Sequence, residues 1–228
     1  MKLIYLFLFS IFSLSFNTTI AQNKWTEEEL NMANTAKNTG YLSTEEKNII
    51  FYMNLVRIDG EKFFNTYFQD FVQYHNLKMQ AYRNYNDLKV DRTDKYYRGL
   101  EIDLKLIKDL PVFYPDELLT YGADQHGSDM KRYNLAGHNS KDGRTAKDRI
   151  GKHYPNRSLA ENLAFGFSKG LDNVCLLLLD KGVPDLGHRK NILNNTLGLN
   201  IVGVSIQTHP TYKYSATIDF AGIPNLKI

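Results

Sequence analysis

Strand-forming sequence is confined to the end of this 228-residue chain, which limits the folds open to it more than any other feature. Leu199 to Gln207 and Tyr212 to Phe220 are rich in β-branched and aromatic residues. A short turn at His209-Pro210 separates them, so the pair reads as an antiparallel hairpin. Ser158 to Phe165 is a shorter strand candidate. The chain before it carries helical spacing. Helices around a small antiparallel sheet, an α+β class, is therefore the expectation.

The helical half has readable punctuation. Thr26-Glu27-Glu28-Glu29 forms a capping box that opens a short helix, and Ser43-Thr44-Glu45-Glu46 forms another. After Ser43, Ile49, Ile50, Met53 and Val56 recur at helical spacing, and Gly60 is a stop signal. An aromatic-rich helix follows from Glu61 to Tyr74, and one from about Tyr96 to Lys108. Pro115-Asp116-Glu117 places proline and acids where a helix start favours them. The stripe of that helix is Leu119, Ala123, His126, Met130 and Tyr133. Leu171 to Asp180 is a further helix, closed by Gly182 and Pro184.

The N-terminus reads as an export signal. Met1-Lys2 is a small positive segment, Leu3 to Phe16 is apolar apart from serines, and Thr19-Ile20-Ala21 suits cleavage after Ala21. The apolar run is shorter than the roughly 18 residues of a spanning helix. No later segment is long and apolar enough to cross a membrane, so a secreted or periplasmic protein without a membrane anchor is expected. The domain plan is a signal at 1–21, an N-terminal extension at 22–42 and one domain at 43–228 with a polar surface insertion at about 76–97. Twenty-eight basic residues nearly balance 25 acidic ones, which argues against nucleic acid as a partner. A monomer is expected. Exported chains often rely on disulfides, but Cys175 is the only cysteine and no internal bridge can form. Its leucine-rich surroundings mark it as an inert core thiol rather than a nucleophile.

Three late segments carry chemistry-bearing residues: His138 before Asp142-Gly143, Glu161 in Ala160-Glu161-Asn162-Leu163, and His188 in Gly187-His188-Arg189-Lys190-Asn191. The histidines are too far apart for a local chelate, so only tertiary folding can unite them. Imidazole is a good ligand for zinc and similar metals. Glu161 would be a ligand itself or hold and deprotonate a bound water.

His138 to Gly143 with Arg149 resembles the first-histidine motif of the CAP superfamily, the cysteine-rich secretory, antigen 5 and pathogenesis-related group, also called SCP-like extracellular proteins. Ala160 to Gly166 is similar to its Glu-Asn motif, and Gly187 to Leu193 to its second-histidine motif in the bacterial, cysteine-poor form. Asn54-Leu55-Val56-Arg57 resembles the motif on its first helix, and Gly203-Val204 and Asp219-Phe220-Ala221 fall where it has closing strands. The match runs from about Ser43 to Gly222. The resemblance implies an α-β-α sandwich and a cleft with two histidines and two acids able to hold a divalent metal such as zinc. Carried over, the histidines and expected metal ligands are His138 and His188, and the first acid is Glu161. Asp180 is the best candidate for the second acid, with Asp185 the other. The implied role is an extracytoplasmic binding or effector module for a lipid, peptide or glycan. The alternative is a metal-dependent hydrolase with Glu161 as general base and His138 and His188 beside it.

Other features have blander readings. Gly166-Phe167-Ser168-Lys169-Gly170 matches G-x-S-x-G, but a nucleophile elbow needs a parallel sheet laid down beforehand. Its serine is instead expected to help cap the next helix. His126 lies on an apolar stripe and is expected to be a satisfied core histidine, or else a third imidazole of the cleft. The aromatics of residues 63–74 follow helical spacing and read mostly as core.

Overall fold

The computed structural model describes residues 24–193 and 196–226, so the export-signal reading of residues 1–21 lies outside the described residues. Both capping boxes form. Thr26 and Glu29 close the start of helix α1 (Glu27–Ala33), and Ser43 and Glu46 that of α2 (Thr44–Ile58). The stop expected at Gly60 falls one residue earlier. Asp59 is extended, ends α2, and caps α3 (Gly60–Phe63) by accepting the Lys62 N–H at 2.9 Å. The aromatic helix is longer than expected: one π-turn at Phe64–Phe68 leads into α4 (Gln69–Met79). Phe63, Phe64, Tyr67, Phe68 and Phe71 are buried and Tyr74 is exposed, as a mostly core stripe requires.

Residues 76–97 are tied to the body of the fold. Asn76 brackets Val90, donating to its carbonyl at 2.9 Å and accepting its N–H at 2.7 Å. His75 is buried with Nε2 2.9 Å from the Leu88 carbonyl. The short α5 (Tyr85–Leu88) lies between them in sequence, and α6 (Lys95–Lys105) follows with Asp94 as its cap.

Four strands form one sheet: β1 (Tyr114–Pro115), β2 (Leu159–Phe165), β3 (Ile201–His209) and β4 (Lys213–Ala221), in the order β1-β3-β4-β2. The β3–β4 hairpin and the β2–β4 pair are antiparallel, as expected, whereas β1 runs parallel to β3. The sheet is therefore mixed. Two residues, one of them proline, carry too little pattern to announce a strand. The hairpin ends later than predicted because His209 stays buried, with Nε2 2.8 Å from the Leu135 carbonyl.

Strand alternation then assigns the layers. Val202, Val204, Ile218 and Phe220 point into the main core, against α2, α9 (Gly170–Leu179) and α10 (Gly187–Leu193). Truncating a fully buried side chain such as Phe220 to alanine costs about 3–5 kcal/mol. The opposite face presents Ser205, Thr217 and Asp219 beneath α7 (Glu117–Tyr133), which packs on β3 and β4. Gly203 permits that approach, because a Cβ there would sit 2.1 Å from the backbone at Leu119 and Thr120. Helices thus cover both faces of the sheet.

The Asn54–Arg57 segment of α2 fastens these layers. Asn54 donates to the Ala33 and Phe113 carbonyls, each at 3.0 Å, and accepts the Phe113 N–H at 2.7 Å. Arg57 is fully buried, donates to the Pro111 carbonyl at 2.6 Å and the Ile192 carbonyl at 2.7 Å, and lies over the Phe113 ring. Arg57 thereby ties α10, the helix carrying His188, to the strand β1 segment.

Candidate functional site

The geometry begins at β2. Glu161 and Asn162 are consecutive, so their side chains leave opposite faces of an edge strand. Glu161 turns to the α7 face, where Oε1 accepts from His138 Nδ1 at 2.7 Å and Oε2 accepts a short bond from Arg149. Asn162 turns to the other face. It donates to the His188 carbonyl at 3.1 Å and accepts from Asn191 at 2.8 Å, which seats the start of α10 on the sheet.

Arg149 organises the first half of the site. It stands on α8 (Ala146–Ile150), whose start is capped by Thr145 and Asp148. Its buried guanidinium also donates to the His138 carbonyl at 2.9 Å, to the Arg144 carbonyl at 3.1 Å and to Ser140 Oγ at 3.2 Å. One cation thus folds the 138–144 loop and holds Glu161. His138 itself leaves over half its side chain exposed, while that of Glu161 is 2 % exposed. The Glu161 hydrogen bond raises His138 above the ordinary imidazole range against the opposing pull of burial. Burial pushes Glu161 upward, but the His138 hydrogen bond and the Arg149 charge outweigh it and hold its carboxyl low.

The second half is built from the end of α9. Asp180 follows that helix in a left-handed conformation with φ 53°, which an aspartate tolerates better than most residues. Its Oδ1 accepts from His188 Nδ1 at 2.7 Å, and its Oδ2 accepts the His188 N–H at 3.0 Å and the Arg189 N–H at 3.2 Å. Asp180 therefore caps α10 and orients the histidine with one carboxylate. Arg189 is buried and donates to the Leu178 carbonyl at 2.6 Å and the Leu179 carbonyl at 2.9 Å, satisfying the open end of α9. Of the two candidate acids, Asp180 is the one that meets His188.

The three motif residues and the candidate acid Asp180 thus form two histidine–carboxylate pairs, His138–Glu161 and His188–Asp180, served by opposite faces of β2. Among the described residues, no three or more histidine, cysteine, aspartate or glutamate side chains are grouped to hold a metal ion. Each histidine spends Nδ1 on its carboxylate and keeps Nε2 for something else. That is the usual arrangement behind a metal-bound imidazole, in which the carboxylate orients the ring and does not touch the ion.

Asp219 was not evident from spacing. It faces Glu161 directly in the β2–β4 register, is fully buried, and has neither carboxylate oxygen paired in a well-formed hydrogen bond. Burial, then the Glu161 charge, pushes its carboxyl well above the usual range. The available signal was a lone acid alternating with Thr217 and Ser215 on the α7 face. His126 is fully buried beside this pair, with Nε2 2.9 Å from the Gly137 carbonyl and its own acidity set by burial. It is a core histidine with one nitrogen satisfied.

The remaining sequence features resolve simply. Cys175 is fully buried, and burial followed by the Asp172 charge holds its thiol protonated, as an inert core cysteine would be. The G-x-S-x-G serine does not cap α9. The Gly170 N–H is accepted by Glu45 of α2 at 2.9 Å, and Lys169 in the cap position makes no side-chain cap. The strand before it pairs only antiparallel, with β4, so a hydrolase elbow has no parallel sheet to stand on. Among the described residues, no helix is long and apolar enough to cross a membrane.

No protein-family model matches the chain, and no curated protein matches it. Among solved structures, an extracellular protein containing an SCP domain from Bacillus anthracis str. Ames is similar, with 28% identity and a TM-score of 0.40. That match covers 50% of this chain and 35% of the Bacillus protein, so the chain spans about a third of that protein's length. An outer surface protein from Borrelia burgdorferi is similar at 19% identity with a TM-score of 0.42, covering 59% of this chain and 97% of that one. With helices on both faces of a small four-stranded sheet, the chain has an α+β fold of α-β-α layering.

Proposed function

We propose that this chain is an exported SCP-like binding module whose working groups are the Nε2 atoms of His138 and His188. The observation that carries the reading is the use of each Nδ1 by a buried carboxylate, which fixes both rings and reserves the second nitrogen of each. A ring held in that way is preorganised to accept a ligand or an ion.

The donor set bears on the metal expectation. It fits imidazole ligands oriented by carboxylates, and it does not fit a closed protein cage of three or four ligands. His138 and His188 would hold a divalent ion such as zinc with solvent completing its shell, weakly and exchangeably. When bound, the ion would supply positive charge for an anionic or carbonyl group of the ligand. Glu161 and Asp180 keep the histidines in place and stay off the ion. Glu161 is a weak candidate for a general base, because both oxygens are engaged and its carboxyl is held low. Binding, rather than hydrolysis, is the reading the geometry favours.

Calorimetric titration of zinc into the mature chain tests this, with His138→Ala and His188→Ala alongside. Loss of most of the heat in both variants is the expected result. Heat unchanged in both would remove the imidazoles from the site.

A further inference from the structure

The geometry points to a second binding site, built around the G-x-S-x-G loop, that takes an acidic sugar unit. It is independent of the histidine pairs. A cavity of about 460 Å³ opens where three distant segments meet: the end of α4 and the turn after it, residues 166–172, and the hairpin turn 211–214. That volume lies within the range of small-molecule sites.

The lining decides the chemistry. Lys78, Lys169 and Lys213 surround it, and Asp172 is the acid among its lining residues. Asp172 is half-buried, and the three ammonium groups of the lining outnumber its one carboxylate. Among the described residues Lys213 makes no ion pair, whereas Lys169 is shared with Glu45 at 2.8 Å. The balance favours an anionic group.

The same cavity holds aromatic faces rather than an aliphatic tunnel. Tyr82 and Tyr212 are 45 % and 44 % exposed and both line the cavity. Tyr212 is immobilised, its ring centroid 5.0 Å from that of Phe165 and 5.1 Å from that of His209. A ring held as Tyr212 is loses little entropy on binding, and Tyr82 supplies a second ring to the lining. Their faces suit the C–H surface of a pyranose, while the tyrosine hydroxyls and Asp172 suit its hydroxyls. Phe167 also lines the cavity, with the Lys78 ammonium 5.6 Å from its ring centroid. Gly166, at φ 96°, bonds to the Tyr214 carbonyl at 2.9 Å, and so fixes the loop to the hairpin. A Cβ at Gly166 would meet open space, so the backbone conformation, not crowding, calls for glycine there. An anionic group beside a ring with polar edges is a carboxylated sugar.

The probe is the trimer of galacturonic acid, with the neutral galactose trimer as its partner, titrated into the full mature chain by calorimetry. Tyr82→Ala and Lys213→Asn are the variants. Both residues are exposed, and asparagine tolerates the left-handed backbone at position 213 (φ 70°), so both variants should fold. Circular dichroism checks that they do. The exposed Lys105→Gln on α6 controls for general loss of charge. The expected result is binding of the acidic trimer that is about tenfold weaker for the neutral one and five- to tenfold weaker in each variant, with Lys105→Gln unchanged. Affinity should also fall as salt rises. Equal binding of the two trimers, no binding of the acidic trimer, or variants indistinguishable from the native chain would each overturn the proposal.

Discussion

Glu161 and Asp219 face each other across the β2–β4 ladder, and only Glu161 is equipped to carry a charge. Arg149 and His138 bond its two oxygens, while Asp219 lies fully buried with its acidity suppressed by burial and by Glu161 itself. Two ionised carboxylates side by side in such a place would repel strongly. Burial and the Glu161 charge favour the protonated form of Asp219, so the pair avoids that repulsion.

That arrangement makes Asp219→Asn an informative change. A carboxyl whose folded value is raised retains its proton while the unfolded chain ionises, so stability falls as pH climbs from the ordinary aspartate range toward the folded value. Asparagine removes this dependence. Urea unfolding should find the variant within about 1 kcal/mol of the native protein at pH 4–5. Its advantage should then grow with pH, by at most about 1.4 kcal/mol per unit. A native protein that gains on the variant as pH rises would mean that Asp219 is ionised.

The His138–Glu161 pair has the opposite sign at each end. His138 is raised, so its contribution is complete below the ordinary histidine value and disappears as pH rises through the raised one. Glu161 is lowered, so its contribution is complete above the ordinary glutamate value and disappears as pH falls through the lowered one. The pair is therefore worth most between the ordinary values of 4.5 and 6.5. Because more than half of the His138 side chain meets solvent, the gain should stay below about 1 kcal/mol. His138→Gln should cost most near pH 5.5 and little at pH 8.5, as measured by urea midpoints.

How much of this the sequence discloses depends on whether the cause is local. Thr26–Glu29 and Ser43–Glu46 cap helices through contacts three residues apart, so their pattern is visible in the chain itself. The β3–β4 hairpin is visible for the same reason. Asp59 ends α2 because it caps the next helix, while its other oxygen meets Lys108, forty-nine residues away, and no local signal reports that. β1 exists only because β3 is there to pair with it. In the site, His138, Glu161 and His188 are found from their motifs, and Asp180 is one of two candidates for the second acid, but the division into two pairs follows from strand alternation at Glu161 and Asn162. Asp219 became meaningful only once the β2–β4 register placed it opposite Glu161.

Arg149 is the residue on which the first pair depends. Arg149→Met deletes the bond to Glu161 and the three bonds that shape the 138–144 loop, leaving a buried carboxylate without its cation. Breaking a buried ion pair from one side costs about 3–5 kcal/mol. The double change Arg149→Met with Glu161→Gln removes the orphaned charge and should recover about half of that loss. Strictly additive losses in a double-mutant cycle would show that Arg149 and Glu161 are not coupled.

Asp180 is the corresponding residue of the second pair, and its two roles can be separated. Asp180→Ala loses the cap on α10, worth about 0.5–2 kcal/mol, and forces a residue with a Cβ and no polar compensation to remain left-handed, at roughly 1 kcal/mol more. A total near 2 kcal/mol should appear in thermal or urea unfolding. Asp180→Asn retains the left-handed preference and an oxygen for the cap, so it should cost less than about 1 kcal/mol. Yet an amide carries no charge to orient His188, and the imidazole should become freer to turn. Its ring resonances in NMR should therefore shift in Asp180→Asn while the fold is kept. A smaller cost for asparagine than for alanine, with the His188 resonances unmoved in Asp180→Asn, would reduce Asp180 to a cap and leave the second histidine without its orienting group.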